Sequence, residues 1–176
     1  MKIAISGPMG SGKTTIANMI KKKYPNYKVF SFGQKVKDIA VELFNMDKNN
    51  KNRSLLINIA DKMREIDIDV WGKYIINKTS NEEYCIIDDL RFQNELDLLQ
   101  KDDEWVYIIL YLDENKRLKR LKQSYPDNYN DHIKNMNHLS ELGILNFNDK
   151  KVIHINSGDS LINIKYNIKC FIDKYE

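Results

Sequence analysis

Residues 7–14 read Gly7-Pro8-Met9-Gly10-Ser11-Gly12-Lys13-Thr14, and this stretch decides the fold of the chain. It matches the phosphate-binding pattern of glycine, four residues, glycine, lysine and then serine or threonine. An apolar run, Ile3-Ala4-Ile5, precedes it, and a helix-period run follows at 15–20. A loop between a buried strand and a helix directs backbone N–H groups and the positive end of the helix dipole at a phosphate. The stretch therefore predicts a nucleoside triphosphate site, and its context disfavours a chance glycine-rich turn.

Two side chains of this loop carry phosphate chemistry. The Lys13 ammonium reaches the β- and γ-phosphates of a bound nucleotide, and the Thr14 hydroxyl is a ligand for the Mg²⁺ that bridges the same oxygens. Backbone contacts from the rest of the loop extend the candidate ATP ligands to Gly7, Gly10, Ser11, Gly12, Lys13, Thr14 and Thr15. ATP and Mg²⁺ are the cofactors that we expect.

Composition indicates one soluble domain covering residues 1–176. Hydrophobic residues make up 42% and charged residues 30% of the chain. No apolar run approaches the roughly 20 residues that a membrane span needs, so we expect no membrane partner. The sequence opens directly into the first strand, without a charged leader, and this predicts a cytoplasmic protein. A net charge of +3 is too small to predict bulk nucleic-acid binding.

The two cysteines, Cys85 and Cys170, have neither metal-ligand spacing nor the density of a disulfide scaffold. We therefore predict that both are buried thiols.

Apolar runs alternate with helix-period segments along the chain, which is typical of an α/β fold with a parallel sheet. Strands are predicted at 3–5, 27–32, 84–87, 105–112 and 152–155. After the first helix, further helices are predicted at 34–44, 54–64, 69–79, 114–124 and 161–175, with a short one at 138–142 that Gly143 stops. Residues 90–95 lead into one more predicted helix, which reaches about residue 100. The polar segments 47–52 and 125–137 predict no regular element.

The predicted strand at 84–87 ends in two acids, Asp88 and Asp89. A buried parallel strand with carboxylates at its tip suits phosphoryl transfer, because one carboxylate can hold Mg²⁺ and the other can orient the acceptor. Asp88 is the candidate metal ligand beside Thr14, and Asp89 is the candidate catalytic carboxylate. The sequence alone leaves open which of the two acids serves the metal, and an ordinary acidic turn is the alternative.

Between the second and third strands lies a helical insertion, at about 34–80, where many small-molecule kinases build the acceptor site. Lys35 and Lys37 begin it at the carboxyl end of a strand, where ligands bind in open α/β sheets. Arg53 and Arg64 flank an apolar helical stripe, and each guanidinium could grip a phosphate through its planar donor fork. Solvated surface side chains are the alternative for all four.

A strongly basic amphipathic helix follows the fourth strand and predicts a lid at about 114–143. Arg117 and Arg120 are three residues apart and so lie on one helical face. A lid would close over ATP, exclude water and bring these guanidinium groups against the transferring phosphoryl group. A solvated face that only keeps the protein soluble is the alternative.

Together these features resemble the nucleoside-monophosphate-kinase-like branch of P-loop proteins, and within it the deoxynucleoside monophosphate kinase family of large bacteriophages and related viral and bacterial proteins. The resemblance covers nearly the whole chain. Besides the phosphate loop it rests on Ser31-Phe32-Gly33 followed by Lys37, on 53–71, on Asp88-Asp89-Leu90-Arg91-Phe92-Gln93-Asn94-Glu95, and on His138-Leu139-Ser140-Glu141. Family members often carry proline where this chain has Gln93, which affects the stiffness of the loop more than its chemistry.

The resemblance implies a P-loop kinase with three α/β/α layers, a five-stranded parallel sheet, a helical acceptor-binding insertion and a lid. It implies transfer of the ATP γ-phosphoryl group to a deoxynucleoside monophosphate. This reaction would take place in the cytoplasm, which is the host's cytoplasm if the protein is viral. The implied catalytic residues are Lys13, Arg117, Arg120 and Asp89. The implied acceptor-binding residues are Lys37, Arg53, Arg64, Trp71, Asp89, Arg91, Glu95, His138 and Glu141. The base is not identified, and a homodimer is left open.

A GTPase switch needs Asp-x-x-Gly after the third strand and Asn-Lys-x-Asp, and neither is present at the required place, so we reject it. Kinases of dephospho-coenzyme A, phosphomevalonate or a polynucleotide 5′-hydroxyl use the same scaffold, because a fold does not fix the acceptor. These kinases stay open, as does a non-catalytic nucleotide-binding module.

Overall fold

A computed structural model describes residues 1–48, 52–142, 146–147 and 151–175 of the chain. Within that part the strands are β1 (Lys2–Ser6), β2 (Lys28–Phe30), β3 (Cys85–Leu90), β4 (Trp105–Tyr111) and β5 (Val152–Asn156). They form one sheet in the order β2-β3-β1-β4-β5, and every pairing is parallel. The predicted five-stranded parallel sheet is confirmed.

Helices fill the connections between these strands. They are α1 (Lys13–Lys23), α2 (Phe32–Phe44), α3 (Arg53–Ile66), α4 (Val70–Thr79), α5 (Gln93–Leu99), α6 (Glu114–Ser124), α7 (Tyr129–Lys134), α8 (Leu139–Leu142) and α9 (Leu161–Tyr175). None of the helices in the described ranges is both long and apolar enough to cross a membrane.

Side chains alternate between the two faces of the sheet and build a separate core on each. On one face Ile3, Ile5 and Ile86 pack with the buried sides of α1 and α9. On the other face Ala4 and Ile87 pack with α2, α3, α4 and α5. The inward positions predicted for α9, which are Ile164, Ile168, Phe171 and Ile172, are all buried. The predicted three-layer architecture is therefore confirmed.

The second strand ends earlier than the sequence predicted. Phe30 is its last residue and Phe32 already opens α2, whereas the prediction carried the strand through residue 32. The backbone N–H groups of Phe32 and Gly33 donate to the Asp89 carboxylate at 2.7 and 2.8 Å, which fixes the start of the helix. A carboxylate from a distant strand thus overrides the local β-rich pattern.

Other boundaries differ by a few residues. Strand β3 was predicted to end at residue 87, but it continues to Leu90. Asp88 and Asp89 therefore lie within the strand, near its carboxyl end. Helix α7 forms within 125–137, where no element was predicted. The short helix α8 is present, but the predicted stop at Gly143 lies outside the described residues, as do residues 49–51 of the predicted loop.

The prediction of two buried thiols is half wrong. Cys85 is buried in β3, whereas Cys170 is exposed on α9. Successive residues of a helix are turned by about 100°, so residue 170 points away from the inward stripe that Ile168 and Phe171 define.

Candidate active site

The phosphate loop connects β1 to α1, and two of its glycines have no substitute. Gly7 has φ 146°, and a Cβ there would lie 2.6 Å from the carbonyl oxygen of Leu110. Gly10 has φ 80°, and a Cβ there would lie 3.1 Å from the Cγ atoms of Arg117 and Leu121. Both glycines adopt a left-handed backbone that side chains disfavour. The loop is therefore packed between β4 and α6.

Lys13 opens α1 and folds back over the loop. Its Nζ donates to the carbonyl oxygens of Gly7 at 2.6 Å and Pro8 at 3.0 Å. Burial lowers the pKa of Lys13 to about 7, and the charge of Arg91 acts in the same direction. The ammonium is thus held at the loop in surroundings where an added anion would favour its charged form.

Thr14 and Asp88 meet because β1 and β3 are adjacent parallel strands whose carboxyl ends lie at the same edge of the sheet. The Thr14 hydroxyl donates to Asp88 Oδ2 at 2.8 Å. Burial raises the pKa of Asp88, and the charge of Asp89 adds to that effect. A hydroxyl and a carboxylate are the hard oxygen donors that Mg²⁺ prefers.

The described residues contain no group of three or more His, Cys, Asp or Glu side chains placed to hold a metal ion. Such sparse protein ligation suits Mg²⁺, which keeps several waters and takes further ligands from substrate phosphates. The Thr14 hydroxyl and the Asp88 carboxylate are donors of the kind that fit such a site.

Asp89 points to the other side of β3 and caps α2. Its carboxylate accepts hydrogen bonds from the Ser31 hydroxyl at 2.7 Å and from the N–H groups of Phe32 and Gly33. A negative charge at this position also interacts favourably with the helix dipole. Asp89 thus anchors the first helix of the insertion, and its predicted catalytic contact with an acceptor stays a prediction.

Two guanidinium groups converge from different elements. Arg53 is the first residue of α3 and Arg91 follows β3 directly. Both donate to the same oxygen, Oε1 of Glu141, and Arg91 also donates to the carbonyl oxygen of Ser140 at 3.0 Å. Each of the two side chains is 18% exposed. The structure therefore brings together two of the predicted acceptor-binding arginines.

Glu141 lies behind these arginines. Its side chain has no exposed surface, and its second oxygen, Oε2, accepts the backbone N–H of Met9 in the phosphate loop at 2.8 Å. Burial opposes ionisation of this carboxyl group, but the charges of Arg91, Arg53 and Lys13 outweigh burial and hold the pKa of Glu141 below its usual value.

Arg64 and Glu95 form a second charged pair. Arg64 Nη2 lies 3.4 Å from Glu95 Oε1, and its guanidinium stacks 3.8 Å from the ring centroid of Phe92. Glu95 accepts the N–H groups of Arg91 and Phe92, both at 3.1 Å, and so fixes the turn into α5. Burial raises the pKa of Glu95 to about 7, although these hydrogen bonds oppose the shift.

Trp71 and His138 complete the predicted acceptor side. Trp71 is buried, and its indole N–H donates to the carbonyl oxygen of Ala60 at 3.1 Å, which joins α4 to α3. His138 Nε2 lies 2.9 Å from Asp61 Oδ2 and joins the segment before α8 to α3. Both residues have structural contacts in addition to any contact with a substrate.

The two arginines predicted for the lid have different surroundings. Arg120 donates to Ser157, which follows β5, and its Nη1 lies 3.7 Å from the Cβ position of Gly12. Arg117 packs its Cγ over Gly10 and pairs with Glu114 at 3.9 Å. Helix α6 therefore lies directly on the phosphate loop, and the catalytic roles of its arginines stay predictions.

One cavity of about 970 Å³ joins these features. The predicted site residues that line it are Gly10, Ser11, Gly12, Lys13, Thr14, Thr15, Lys37, Arg53, Arg64, Trp71, Asp88, Asp89, Arg91, Glu95, Arg120 and His138. Gly7, Arg117 and Glu141 do not line it. Loop and insertion thus face one shared space.

Sequence reasoning missed the part played by α7. Asp131 accepts the N–H of Arg53 at 2.6 Å and the hydroxyl of Ser54 at 2.6 Å, and so caps α3. His132 is buried, with Nδ1 2.8 Å from the Met9 sulfur. Because these partners are far apart in sequence and the segment has no apolar period, no local signal could have found them.

Comparison with protein families and curated proteins gives partial matches. A family model described as AAA domain matches residues 3–141. An adenylate kinase from Pyrobaculum aerophilum is 32% identical over 81 residues, which make up 46% of this chain and 40% of that protein. A cytidylate kinase from Fusobacterium nucleatum is 37% identical over 76 residues, which make up 43% of this chain and 33% of that protein. The matched region thus spans less than half of each of these relatives.

Solved structures match nearly the whole chain. A gluconokinase from Sinorhizobium meliloti 1021 has a TM-score of 0.62 at 12% identity, covering 98% of this chain and 91% of that one. A sugar kinase from Janibacter sp. HTCC2649 has a TM-score of 0.62 at 13% identity, covering 98% and 94%. At these identities the likeness is one of fold alone, and the fold is that of P-loop kinases.

Proposed function

The chain belongs to the AAA domain family, and we propose that it is a kinase that transfers the γ-phosphoryl group of ATP to a deoxynucleoside monophosphate. One observation carries the proposal. Arg53 and Arg91 line the same cavity as Lys13, close enough for the charges of all three to interact. A cavity with a nucleotide loop on one side and two planar donor forks on the other fits two phosphate-bearing substrates.

In the proposed reaction an oxygen of the acceptor phosphate attacks the γ-phosphorus, and the bond from that phosphorus to the β-γ bridging oxygen breaks. ADP leaves with the electron pair, and the acceptor becomes a diphosphate. Phosphoryl transfer through a loose transition state needs alignment and charge neutralisation more than a strong base. A phosphate oxygen is already ionised at neutral pH, so no side chain has to remove a proton.

The residues of this chain divide that work. The phosphate loop and Lys13 hold the β- and γ-phosphates, and Arg53 and Arg91 hold the acceptor phosphate in line with them. Arg120 lies beside Gly12. In the proposed reaction its guanidinium stabilises the negative charge that develops on the transferring phosphoryl group. When bound at Thr14 and Asp88, Mg²⁺ would neutralise charge on the phosphate oxygens.

Charge and the names of the partial relatives both favour a phosphate-bearing acceptor. Glu141 carries one negative charge against the two positive charges of Arg53 and Arg91. An anionic acceptor would balance the remaining charge, whereas a sugar hydroxyl, which the similar fold of a sugar kinase suggests as an alternative, would not. The names of the two partial relatives, adenylate kinase and cytidylate kinase, favour a nucleoside monophosphate. The deoxyribose preference and a viral origin rest on the family resemblance, and the deoxyribose preference rests in particular on 53–71 and 88–95.

A panel of acceptors tests the proposal. ATP consumption with Mg²⁺ would be measured against each deoxy- and ribonucleoside monophosphate, dephospho-coenzyme A, phosphomevalonate, gluconate and a 5′-hydroxyl oligonucleotide. We expect ADP and a nucleoside diphosphate with one or more deoxynucleoside monophosphates. If only another acceptor is phosphorylated, the chain is still a kinase but the assignment of a deoxynucleoside monophosphate as its acceptor is wrong. ATP binding without turnover of any acceptor would favour a non-catalytic nucleotide-binding module.

Lys13→Met is the control for this panel. It removes the ammonium that follows charge onto the β-γ bridge, so any true phosphoryl transfer should fall to background. Turnover near that of the wild type in this variant would mean that the measured activity does not come from the phosphate loop.

A further inference from the structure

We propose that Glu141 is a positioning residue that holds Arg53 and Arg91 from behind as one phosphate-binding fork and ties that fork to the phosphate loop through Met9. The inference rests on the proposed function, because the fork is meant for the phosphate of the acceptor. It assigns Glu141 a role through other residues, in place of direct contact with the substrate.

The contacts of one carboxylate carry this inference. Oε1 accepts from both guanidinium groups and Oε2 accepts from the Met9 N–H. The three partners are 88, 50 and 132 residues away in sequence, so a single side chain joins α3, the end of β3 and the phosphate loop. A group with these contacts fixes the relative position of the two halves of the cavity.

Burial separates positioning from substrate contact. The Glu141 side chain has no exposed surface and does not line the cavity, whereas both arginines line it and are 18% exposed. The guanidinium groups therefore lie between the carboxylate and the cavity. An acceptor phosphate can meet the cavity-facing donors of the arginines, since each guanidinium carries five N–H donors and Glu141 takes few of them.

Charge explains why such a residue is needed. Arg53 and Arg91 are close enough to disfavour each other, and the pKa of Arg53 is lowered first by burial and then by the charge of Arg91. Without a carboxylate between them, two guanidinium groups would move apart in the absence of substrate. Glu141 compensates for the repulsion and keeps both groups in the geometry that a phosphate requires.

Glu141→Gln tests the hydrogen-bonding part of this arrangement. The glutamine amide has one acceptor oxygen and one NH₂ donor group, whereas the three partners of Glu141 are all donors. If the amide oxygen keeps the Met9 N–H, the NH₂ group faces two guanidinium groups and releases them. We expect the KM for the acceptor to rise at least about tenfold, because a misplacement of about 1 Å can cost as much as 10²-fold. At about pH 6, where Lys13 stays protonated, the KM for ATP should change less than about threefold, since the loop contact is kept.

Arginine side-chain NMR gives a second measurement that does not need turnover. We expect slow rotation of the Arg53 and Arg91 guanidinium groups in the wild type and fast rotation in Glu141→Gln. Glu141→Asp keeps the charge but is one methylene shorter, so it should also release at least one guanidinium. If the glutamine variant does not fold, the aspartate variant supplies the same two measurements.

Ile172→Val is the matched control, because Ile172 is buried in the core on the opposite face of the sheet. It should lower the melting temperature without changing the acceptor KM or the rotation of either guanidinium. Unchanged rotation in both Glu141 variants would overturn the inference, whatever the kinetics show. If the Glu141 variants show fast guanidinium rotation but the wild-type protein phosphorylates no acceptor in the panel, the positioning role of Glu141 is supported and the proposed function is wrong.

Discussion

The guanidinium group of Arg120 makes two hydrogen bonds to Ser157, from Nη1 to the hydroxyl at 3.2 Å and from Nη2 to the carbonyl oxygen at 2.8 Å. These contacts join α6 to the end of β5 at the edge of the cavity. Ser157 thus holds Arg120 beside the phosphate loop. A donor fork fixed in this way needs little reorganisation to meet a phosphoryl group.

Arg120→Lys should lower kcat by at least about tenfold, because the charge remains while the planar donor fork is lost. Arg117→Lys should change kcat less than about threefold, since that side chain does not line the cavity and partly faces Glu114. Steady-state kinetics of the two variants at saturating ATP and acceptor make the comparison. If both substitutions change kcat equally and only slightly, neither side chain is the catalytic arginine, and Arg91 and Arg64 become the candidates.

The neighbouring acids Asp88 and Asp89 should have different roles: Asp88 should bind the metal, and Asp89 should stabilise the fold. Asp88→Asn should raise the Mg²⁺ concentration needed for half-maximal activity at least about tenfold, because it removes a charged oxygen beside Thr14. Asp89→Asn should leave the Mg²⁺ dependence unchanged and lower the free energy of unfolding by about 1–2 kcal/mol through loss of the α2 cap. Mg²⁺ titrations and urea unfolding of both variants test this, and the reverse result would exchange the two assignments.

Sequence patterns were sufficient wherever the signal was local. The spacing of residues 7–14, between an apolar run and a helical period, predicted the phosphate loop. Short apolar runs predicted the strands of the sheet, and the helical spacing of apolar residues predicted the inward face of α9. These features depend on residues within a few positions of each other, so a single sequence contains them.

Features that depend on distant partners were not accessible in this way. Phe32 belongs to a β-rich run, yet it starts a helix because Asp89, 57 residues away, accepts its N–H. The predicted contact of Glu141 with an acceptor came from a resemblance, and its link to Met9 spans 132 residues. No periodicity reports which side chains the topology brings together, so the inner contacts of the site needed the structure.

The acceptor should be a deoxynucleoside monophosphate in preference to the matching ribonucleotide. A wall that leaves no room or partner for a 2′-hydroxyl discriminates by shape, and such discrimination is limited, so we expect a ratio of about tenfold in kcat/KM. Paired measurements with each deoxy- and ribonucleotide of the same base test this. Equal values would remove the deoxyribose preference and leave the kinase assignment unaffected.

The affinity for ATP should depend on pH through Lys13. Its pKa is about 7 in the free protein, chiefly because of burial, and a bound triphosphate should raise that pKa by adding negative charge at the ammonium. Below about pH 7 Lys13 is protonated in both states, so binding needs no proton. Above that pH, and up to the pKa of the complex, ATP binding must take up a proton, and the affinity for ATP should fall as pH rises. Calorimetry at about pH 8, in two buffers of different ionisation enthalpy, should give an uptake approaching one proton per ATP. Lys13→Met should abolish that uptake, and an equal uptake in this variant would assign the proton to another group.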